Sequence, residues 1–283
     1  MIIRPATGPD LAAVAEVLEV SDESAAWPGL PGWPYLEHLL ARARVPIAIA
    51  GDGVVVGMAG SIEVGTPEVR FLTDLFVRPD QQDHGAGRAL LDAAFEGAHE
   101  RLTFSSADPR ALALYLRAGL RPWWPVLYLA LARGVLEQSP DPGLAIEGTD
   151  PATAAGWSAA WTGMDRTIDF AHYAALPGGS GSLVRVDGAV GAVVWSNRGR
   201  NDAWRVLDHV TMAPGVDPVA VALTAIRSAF QDAPGLVVTV PGPHPVVPWL
   251  LERGARITDR DQFCSTDPDL LDLERILPSP GFL

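Results

Sequence analysis

The sequence contains no lysine: all 21 of its basic residues are arginine. A Walker-type phosphate loop and a pyridoxal Schiff base both need a lysine amine, so neither chemistry is available to this chain. Cys264 is the only cysteine, which excludes an intrachain disulfide and gives no sign of an oxidising compartment. The six histidines show no His-x-x-x-His spacing and there is no Cys-x-x-Cys pair, so we expect no metal site.

Long apolar runs and a basic surface are also missing. No segment reaches the roughly 18 uninterrupted apolar residues of a spanning helix, and residues 1–14 lack the pattern of a signal peptide. The formal net charge is −13, whereas a protein that neutralises nucleic-acid phosphates needs a concentrated basic surface. We therefore expect a cytoplasmic protein that binds neither membranes nor nucleic acid. An acidic surface suits cationic small molecules, or serves solubility alone.

Length and composition indicate two globular domains. A chain of 283 residues fits two domains within the usual range of roughly 100 to 200 residues each. Residues 133–143 are polar and rich in Pro and Gly, which is typical of a linker. The sequence therefore predicts an N-terminal domain at 1–132 and a C-terminal domain at 144–283.

The N-terminal domain alternates strand and helix patterns in the order β-α-α-β-β-β-α-β-α-β. Apolar residues at helical spacing predict its helices, and β-branched runs around the Gly-Asp-Gly turn at 51–53 predict a hairpin. Asp108 is suited to cap the last helix and Gly119 to end it.

The C-terminal domain repeats this order of elements. A constant offset of 135 superimposes the later parts of the two halves without a gap, placing Pro79 on Pro214, Phe95 on Phe230 and Gly119 on Gly254. Matching positions within a matching order indicate duplication of one domain.

Two glycines lie where the strand ending near residue 77 leads into the next helix. Gln82, Gly85 and Gly87 form the pattern Gln-x-x-Gly-x-Gly. The first turn of a helix leaves backbone N–H groups unpaired, and the positive end of its dipole binds anions. Glycine has no Cβ to keep a diphosphate away, and Arg88 adds a positive charge. The pattern indicates an anion site; a plain turn before a helix is the alternative.

With its neighbours, this motif resembles the GNAT superfamily, the acyl-CoA-dependent N-acetyltransferases. The resemblance is carried by the strand TDLFVRPD at 73–80, the loop QQDHGAG at 81–87 and the helix ADPRALALYLRAGLRP at 107–122. It implies an α/β (α+β) fold in which each of two tandem domains is a mixed, mostly antiparallel twisted sheet flanked by helices. It also implies acetyl-CoA as co-substrate, without a metal.

The resemblance implies a path for the cofactor. The backbone of Leu75, Phe76 and Val77 is expected to bind the pantetheine arm like an added strand. Backbone amides of the loop are expected to surround the diphosphate, from Gln82, Asp83, His84, Gly85, Ala86, Gly87, Arg88 and Ala89. Asp108 stands where the family often has an asparagine that contacts the pantetheine arm, and Tyr115 where it often has a tyrosine beside the thioester sulfur.

Acyl transfer from a thioester to an amine needs a neutral amine, a polarised carbonyl and an acid for the departing thiolate. Tyr115 is the candidate acid. An unperturbed phenol has a pKa of about 10 and a thiol about 8.5, so full proton transfer is uphill by about 2 kcal/mol. A hydrogen bond to the sulfur, or a shifted pKa, fits better. Simple packing beside Leu112 and Leu116 is the alternative.

An alkyl amine with a pKa near 10 is mostly protonated at pH 7, so a proton must be removed. Asp74 is the first candidate base because it lies in the strand expected to carry the cofactor; Glu63 and Glu68 are rivals, and a water chain needs no single base. Trp27, Trp33 and Glu63 are candidate acceptor-site residues. Loop packing is an alternative role for the two tryptophans.

The second half departs from the motif at each position that matters. The offset of 135 places Asp217 on Gln82, Ala220 on Gly85, Ala222 on Gly87, Pro243 on Asp108 and Leu250 on Tyr115. An added carboxylate repels a diphosphate, so this domain is predicted to have lost the cofactor. It can still cover apolar surface or supply acceptor-site residues such as Asp165, Arg166 or His209.

These observations predict an acetyltransferase that moves an acetyl group from acetyl-CoA to a small-molecule amine by direct attack, with Tyr115 assisting the thiolate. A longer acyl group, a hydroxyl acceptor and a non-catalytic acyl-CoA sensor are alternatives. We expect a bacterial protein that is a monomer, with its halves as an internal pseudo-dimer, or a homodimer.

Overall fold

The structure, a computed structural model, describes residues 1–21, 32–137, 142–199, 204–279 and 281–283. The N-terminal half has the predicted order of elements: β1 (Ile2–Pro5), α1 (Leu11–Ser21), α2 (Gly32–Arg42), β2 (Pro46–Ile49), β3 (Val55–Val64), β4 (Thr66–Val77), α3 (Ala86–Ala94), β5 (Glu100–Ser105), α4 (Pro109–Arg117) and β6 (Arg121–Ala132). Helix α4 begins and ends as expected, because the Asp108 side chain accepts from the Arg110 N–H and Gly119 takes a positive φ of 93°.

The C-terminal half repeats this order between two added elements, α5 before it and β13 after it: α5 (Gly134–Glu137), β7 (Ala145–Gly148), α6 (Pro151–Thr162), α7 (Thr167–Ala175), β8 (Ser180–Val186), β9 (Ala189–Arg198), β10 (Trp204–Met212), α8 (Pro218–Phe230), β11 (Gly235–Pro241), α9 (Val246–Glu252), β12 (Arg256–Ser265) and β13 (Ile276–Leu277). The short helix α5 lies inside the predicted linker, where Val135 and Leu136 are buried against the C-terminal core.

All described strands form one sheet in the order β1-β2-β3-β4-β5-β12-β6-β11-β10-β9-β8-β7, with β13 paired to β10. The last strand of each half is therefore exchanged. Strand β12 of the C-terminal half pairs with β5, and β6 of the N-terminal half pairs with β11. Strands β6 and β12 also pair with each other. The exchange makes the two halves one continuous structure.

The pairing of β6 with β12 locates a pseudo-twofold axis. Val126 pairs with Asp261, and these two residues are separated by the repeat offset of 135. A residue that faces its own repeat equivalent in an antiparallel pair lies on the axis that relates the two copies. The register of the sheet thus agrees with the duplication predicted from the sequence.

Apolar clusters cover both faces of the N-terminal part of the sheet. Helices α1 and α2 pack on one face around Val17, Leu36 and Phe71. Helices α3 and α4 pack on the other around Leu72, Leu90 and Tyr115. We call these the α1–α2 face and the α3–α4 face. No helix among the described residues is long and apolar enough to cross a membrane.

The two halves also meet through helices α2 and α7. Asp169, fully buried on α7, lies 3.1 Å from His38 Nε2, 3.3 Å from Arg42 Nε and 3.2 Å from Arg166 Nε. Burial alone raises the pKa of this carboxyl, but Arg166, His38 and Arg42 outweigh burial and hold it at about 2. Asp169 is therefore ionised at neutral pH and ties α2 to the C-terminal half.

Candidate active site

Strands β4 and β5 separate part of the way along their length. They pair in parallel from Val69–Leu72 to Glu100–Thr103, yet β4 continues to Val77 and β5 to Ser105 without further pairing between them. The opposite edge of β4 remains paired with β3 as far as Val77. One backbone edge of β4 after Leu72 therefore faces an open gap.

A β-bulge in β4 coincides with the start of this gap. Gly60 of β3 pairs with Asp74 and Ser61 pairs with Leu72, so Thr73 is an extra residue. Bulges bend a strand and redirect the residues that follow. The site needs glycine at position 60, because a Cβ there would overlap the Thr73 hydroxyl. The predicted strand contacts of Leu75, Phe76 and Val77 lie beyond the bulge, along the gap.

The gap leads to the N-terminus of α3, which has no side-chain cap. Gly85 is the N-cap residue, and Ala89 N–H donates to the Gly85 carbonyl. Within the described residues, the N–H groups of Ala86, Gly87 and Arg88 make no hydrogen bond. Unpaired N–H groups at a helix start, together with the helix dipole, are able to bind an anion.

The two glycines of the motif are explained differently. Gly85 has a φ of 84°, a conformation that favours glycine. Gly87 is helical, and a Cβ there would make an ordinary contact of 3.6 Å with Leu114. Packing therefore does not require glycine at position 87.

The other loop residues mostly hold the loop. The Gln82 amide nitrogen donates to the Val77 carbonyl at 3.1 Å, and its amide oxygen accepts from Arg110. Arg110 also binds the Asp108 carboxylate at 2.9 Å. Asp108 thus caps α4 and connects it to the loop. Asp83 takes a positive φ of 65°.

His84 and Arg88 complete the loop. His84 Nδ1 lies 2.6 Å from the Gln82 carbonyl oxygen. The Arg88 guanidinium is exposed at the start of α3, 3.8 Å from Asp92. An exposed pair at this distance is weak, so Arg88 is able to turn toward an anion.

Tyr115 is buried on the α3–α4 face with 6% of its surface exposed. Burial raises its pKa, and the negative charges of the Asp74, Asp261 and Asp108 carboxylates raise it further. Tyr115 is therefore protonated at neutral pH. The direction of the shift opposes full proton transfer to a thiolate and favours a donated hydrogen bond.

Asp74 lies on the α1–α2 face at the inner end of the gap. It is 5% exposed, and its Oδ2 accepts a hydrogen bond of 2.6 Å from the Tyr35 hydroxyl on α2. Burial raises the pKa of this carboxyl, and the bond from Tyr35 partly offsets that effect. A carboxylate with a raised pKa next to the gap has the properties of a proton acceptor.

The rival carboxylates are placed less well. Glu63 lies near the far end of β3, half exposed, and pairs with Arg70 at 3.1 Å. Glu68 is exposed near the start of β4. Neither flanks the gap. Trp27 lies outside the described residues, and so does the side chain of Trp33, whose backbone belongs to α2.

The C-terminal half brings residues to this site that the sequence did not predict. Asp261 on β12 accepts a hydrogen bond of 2.7 Å from Tyr128 of β6 and lies close enough to Tyr115 to raise its pKa. Phe282 packs against Tyr35 with ring centroids 5.4 Å apart. The only sequence signal was the repeat itself, since exchange of final strands is one way for duplicated domains to associate.

In the C-terminal half, the equivalent gap is filled by the chain itself. Strands β10 and β11 pair from Trp204–Leu207 to Gly235–Val238, which are the N-terminal pairs advanced by 135, and Asp208 forms the equivalent bulge. Beyond it, Val210 and Thr211 pair with Leu277 and Ile276 of β13. These two positions correspond to Leu75 and Phe76. Strand β13 therefore occupies the place where the N-terminal half is open.

The helix start also differs between the halves. The repeat equivalent of Ala86, the first residue of α3, is Val221. Helix α8 begins before that position, at Pro218, and its N-cap is Asp217. The Asp217 carboxylate accepts from the N–H groups of Val219 and Ala220 at 2.9 and 3.2 Å. The repeat equivalents of Ala86, Gly87 and Arg88 are residues 221–223, which lie inside α8, where the Val221 N–H donates to the Asp217 carbonyl. The α8 N-terminus therefore carries a capping carboxylate, which the α3 N-terminus does not.

The three C-terminal residues considered for the acceptor site have structural contacts. His209 is fully buried, with Nε2 2.5 Å from the Thr211 hydroxyl. Arg166 is buried and binds Asp169 and the carbonyl of Phe282. Asp165 accepts from the Thr167 N–H at the start of α7. Each holds the C-terminal half together.

Comparison with known proteins agrees with this geometry. Residues 13–120 match the family model described as the acetyltransferase (GNAT) family. A proposed acetyltransferase from Pyrococcus horikoshii superimposes with a TM-score of 0.70 at 13% identity, covering 100% of this chain and 95% of that one. A search of curated proteins found no match.

Two further solved structures share the architecture. A tandem GNAT protein from the clavulanic acid biosynthesis pathway superimposes with a TM-score of 0.61 at 16% identity, covering 95% of this chain and 99% of that one. A GCN5-related N-acetyltransferase from Anabaena variabilis gives 0.63 at 12% identity, covering 93% and 72%. At these identities the likeness is one of fold.

Proposed function

Because residues 13–120 match the acetyltransferase (GNAT) family model and the chain shares the fold of a tandem GNAT protein, we propose that its N-terminal half transfers an acetyl group from acetyl-CoA to an amine of a small molecule. The observation that carries the proposal is the open gap after Leu72, which leads to the uncapped N-terminus of α3. The gap suits an extended thioester arm, and the helix end suits a diphosphate.

The cofactor is proposed to lie along these two features. The pantetheine arm follows the free edge of β4 at Leu75–Val77, and the diphosphate accepts from the unpaired amides of Ala86, Gly87 and Arg88. The described residues fit this ligand, since Gly85 and Gly87 leave the helix end uncovered.

The proposed chemistry uses two buried side chains. Asp74 takes a proton from the acceptor ammonium, and the neutral amine attacks the thioester carbonyl carbon. The C–N bond forms as the C–S bond breaks, and the electron pair of the broken bond stays on sulfur. The proton that the new amide nitrogen must lose passes to that sulfur, which gives the N-acetylated product and free CoA thiol. Tyr115, held protonated by its raised pKa, donates a hydrogen bond to the departing thiolate.

We propose that the C-terminal half does not bind CoA. Its gap contains β13 and its equivalent helix is capped by Asp217. Its part is to complete the sheet through β12 and to hold α2 through Asp169. We further propose a bacterial, cytoplasmic monomer, since the strand exchange already pairs the halves within one chain. Light scattering that gives a dimer mass would contradict the monomer.

The proposal is tested by release of free thiol from acetyl-CoA with a broad panel of amines. We expect turnover with at least one amine class and an N-acetylated product by mass spectrometry. Acetyl-CoA binding without thiol release would instead support a sensor. Turnover only with longer acyl-CoA thioesters would show that the transferred acyl group is not acetyl. Turnover only with alcohols would show that the acceptor is a hydroxyl and not an amine.

A further inference from the structure

Asp261 is the first residue of strand β12 beyond the end of β5. Gln262 pairs with Ser105, the last residue of β5, and on its other side Asp261 pairs with Val126 of β6. Asp261 therefore belongs to the C-terminal half but lies where the N-terminal gap opens.

Asp261 and Asp74 lie at nearly the same level on the two sides of this gap. Leu72 is the last residue of β4 that pairs with β5, opposite Thr103. Parallel strands advance together, so Asp74, after the bulge, comes within about one residue of the level of Ser105. Ser105 is the partner of Gln262, next to Asp261.

Both carboxylates are on the same face of the sheet. Asp74 accepts from Tyr35, which packs in the cluster of the α1–α2 face. Asp261 accepts from Tyr128, which lies two residues along β6 from Val126, a member of that cluster. Side chains two residues apart on a strand share a face. Each carboxylate is thus held by a tyrosine and adjoins the gap.

Asp261 has no cationic partner among the described residues. Tyr128 binds Oδ2, the residue is partly exposed, and Oδ1 is not among the buried side-chain oxygens that lack a hydrogen-bond partner. Burial, with a contribution from Asp259, raises its pKa to about 6, although the bond from Tyr128 opposes the rise. A carboxylate left uncompensated in a partly desolvated site favours a cation from outside.

We propose that Asp261 determines acceptor specificity in the N-terminal site by binding the ammonium group of a cationic alkylamine across the gap from Asp74. This inference rests on the proposed acetyltransferase function and names its substrate class. It also assigns the C-terminal half a residue in the acceptor site.

The test compares Asp261→Asn with the unaltered protein, using acetyl-CoA and two acceptor classes. Alkylamines such as 1,4-diaminobutane and phenethylamine are charged at pH 7.5, whereas an arylamine such as 4-aminobenzamide is not. Asparagine keeps the shape and still accepts from Tyr128. We expect the KM for alkylamines to rise at least about tenfold with kcat within about threefold, because a hydrogen bond to a charged group is lost.

Control measurements separate a loss of acceptor specificity from general damage to the protein. The KM for the arylamine and the affinity for CoA stay within about twofold of the original values, because neither ligand carries the ammonium that Asp261 binds. Asp259→Asn, at an exposed carboxylate on the same strand, changes these values by less than about twofold, because Asp261 with a pKa of about 6 is already ionised at pH 7.5. Tyr128→Phe keeps the carboxylate but loses its positioning donor, so it raises the alkylamine KM by about threefold and serves if Asp261→Asn does not fold.

The inference is overturned if neither Asp261→Asn nor Tyr128→Phe changes the KM for alkylamines, or if these variants raise the KM equally for alkylamines and the arylamine. The acetyltransferase function stands in either case. Absence of thiol release from the unaltered protein with every amine overturns the function, and this inference with it.

Discussion

The two halves share one backbone plan and differ in what fills the gap between two parallel strands. In each half the pairing stops at the equivalent residues, Leu72 and Leu207, and a bulge follows. The N-terminal gap is open and leads to unpaired amides. The C-terminal gap holds β13, and its helix start is capped by Asp217.

The comparison separates the requirements of the fold from those of the ligand. Register, bulge and strand order are retained in the half that we propose has no cofactor, so they serve the sheet. Glycine at position 87, which packing does not require, and an uncapped helix occur only in the open half. These are the features that a bound diphosphate needs.

The largest expected effect concerns the contact between the halves. Asp169→Ala leaves Arg166, which is 1% exposed, without its buried partner. We expect a loss of about 3–5 kcal/mol in the free energy of unfolding, measured by urea denaturation. Asp165→Asn, an exposed neighbour, costs less than about 1 kcal/mol. Equal losses of unfolding free energy in the two variants would mean that Asp169 stabilises the contact between the halves no more than an exposed carboxylate does.

Tyr115→Phe tests whether chemistry is confined to the N-terminal half. Loss of the hydroxyl removes the hydrogen bond to the thiolate, so kcat falls by about 100-fold while CoA affinity stays the same. Tyr173→Phe, a buried tyrosine of the C-terminal half, leaves kcat unchanged. Steady-state kinetics and calorimetry measure both. A kcat for Tyr115→Phe within twofold of the original removes Tyr115 from the mechanism.

The pH dependence compares Asp74 with His209, its repeat equivalent. Burial raises the pKa of Asp74 and only the ionised form accepts a proton, so kcat declines up to about tenfold per unit as pH falls below that pKa. Tyr35→Phe removes a bond that lowers the pKa and so moves the inflection to higher pH. His209→Gln leaves the inflection in place. An unchanged profile in Asp74→Asn would exclude Asp74 as the base.

Asp217→Ala tests whether the helix cap alone prevents CoA from binding to the C-terminal half. Removing the cap from α8 costs about 1 kcal/mol of stability by thermal or urea unfolding. No second CoA binds, because β13 still fills the gap. Appearance of a second CoA in this variant would show that the cap, and not β13, keeps the ligand out.

Much of this arrangement was predictable from local pattern. Helical apolar spacing, the Asp52–Gly53 turn and the cap at Asp108 are properties of short segments, and the repeat offset of 135 transferred them to the second half. The structure confirms the order of elements in both halves.

The missed features depend on distant pairing. Strands β6 and β12 have the same pattern whether they pair within their own half or are exchanged, so Asp261 could not be assigned to the N-terminal site. Strand β13 has two residues, too few for periodicity to show. The partner of Asp74 was equally hidden, because Tyr35 lies 39 residues away in the chain.

The central claim is that one half binds the cofactor through the N-terminus of α3. Titration calorimetry with CoA tests it most directly, on the original protein and on glutamate substitutions at two repeat-equivalent positions, Gly85 and Ala220. We predict one CoA per chain, affinity reduced by at least about 100-fold in Gly85→Glu through charge repulsion and the positive φ, and no change in Ala220→Glu. Two CoA molecules per chain, or loss of binding in Ala220→Glu and not in Gly85→Glu, would contradict it.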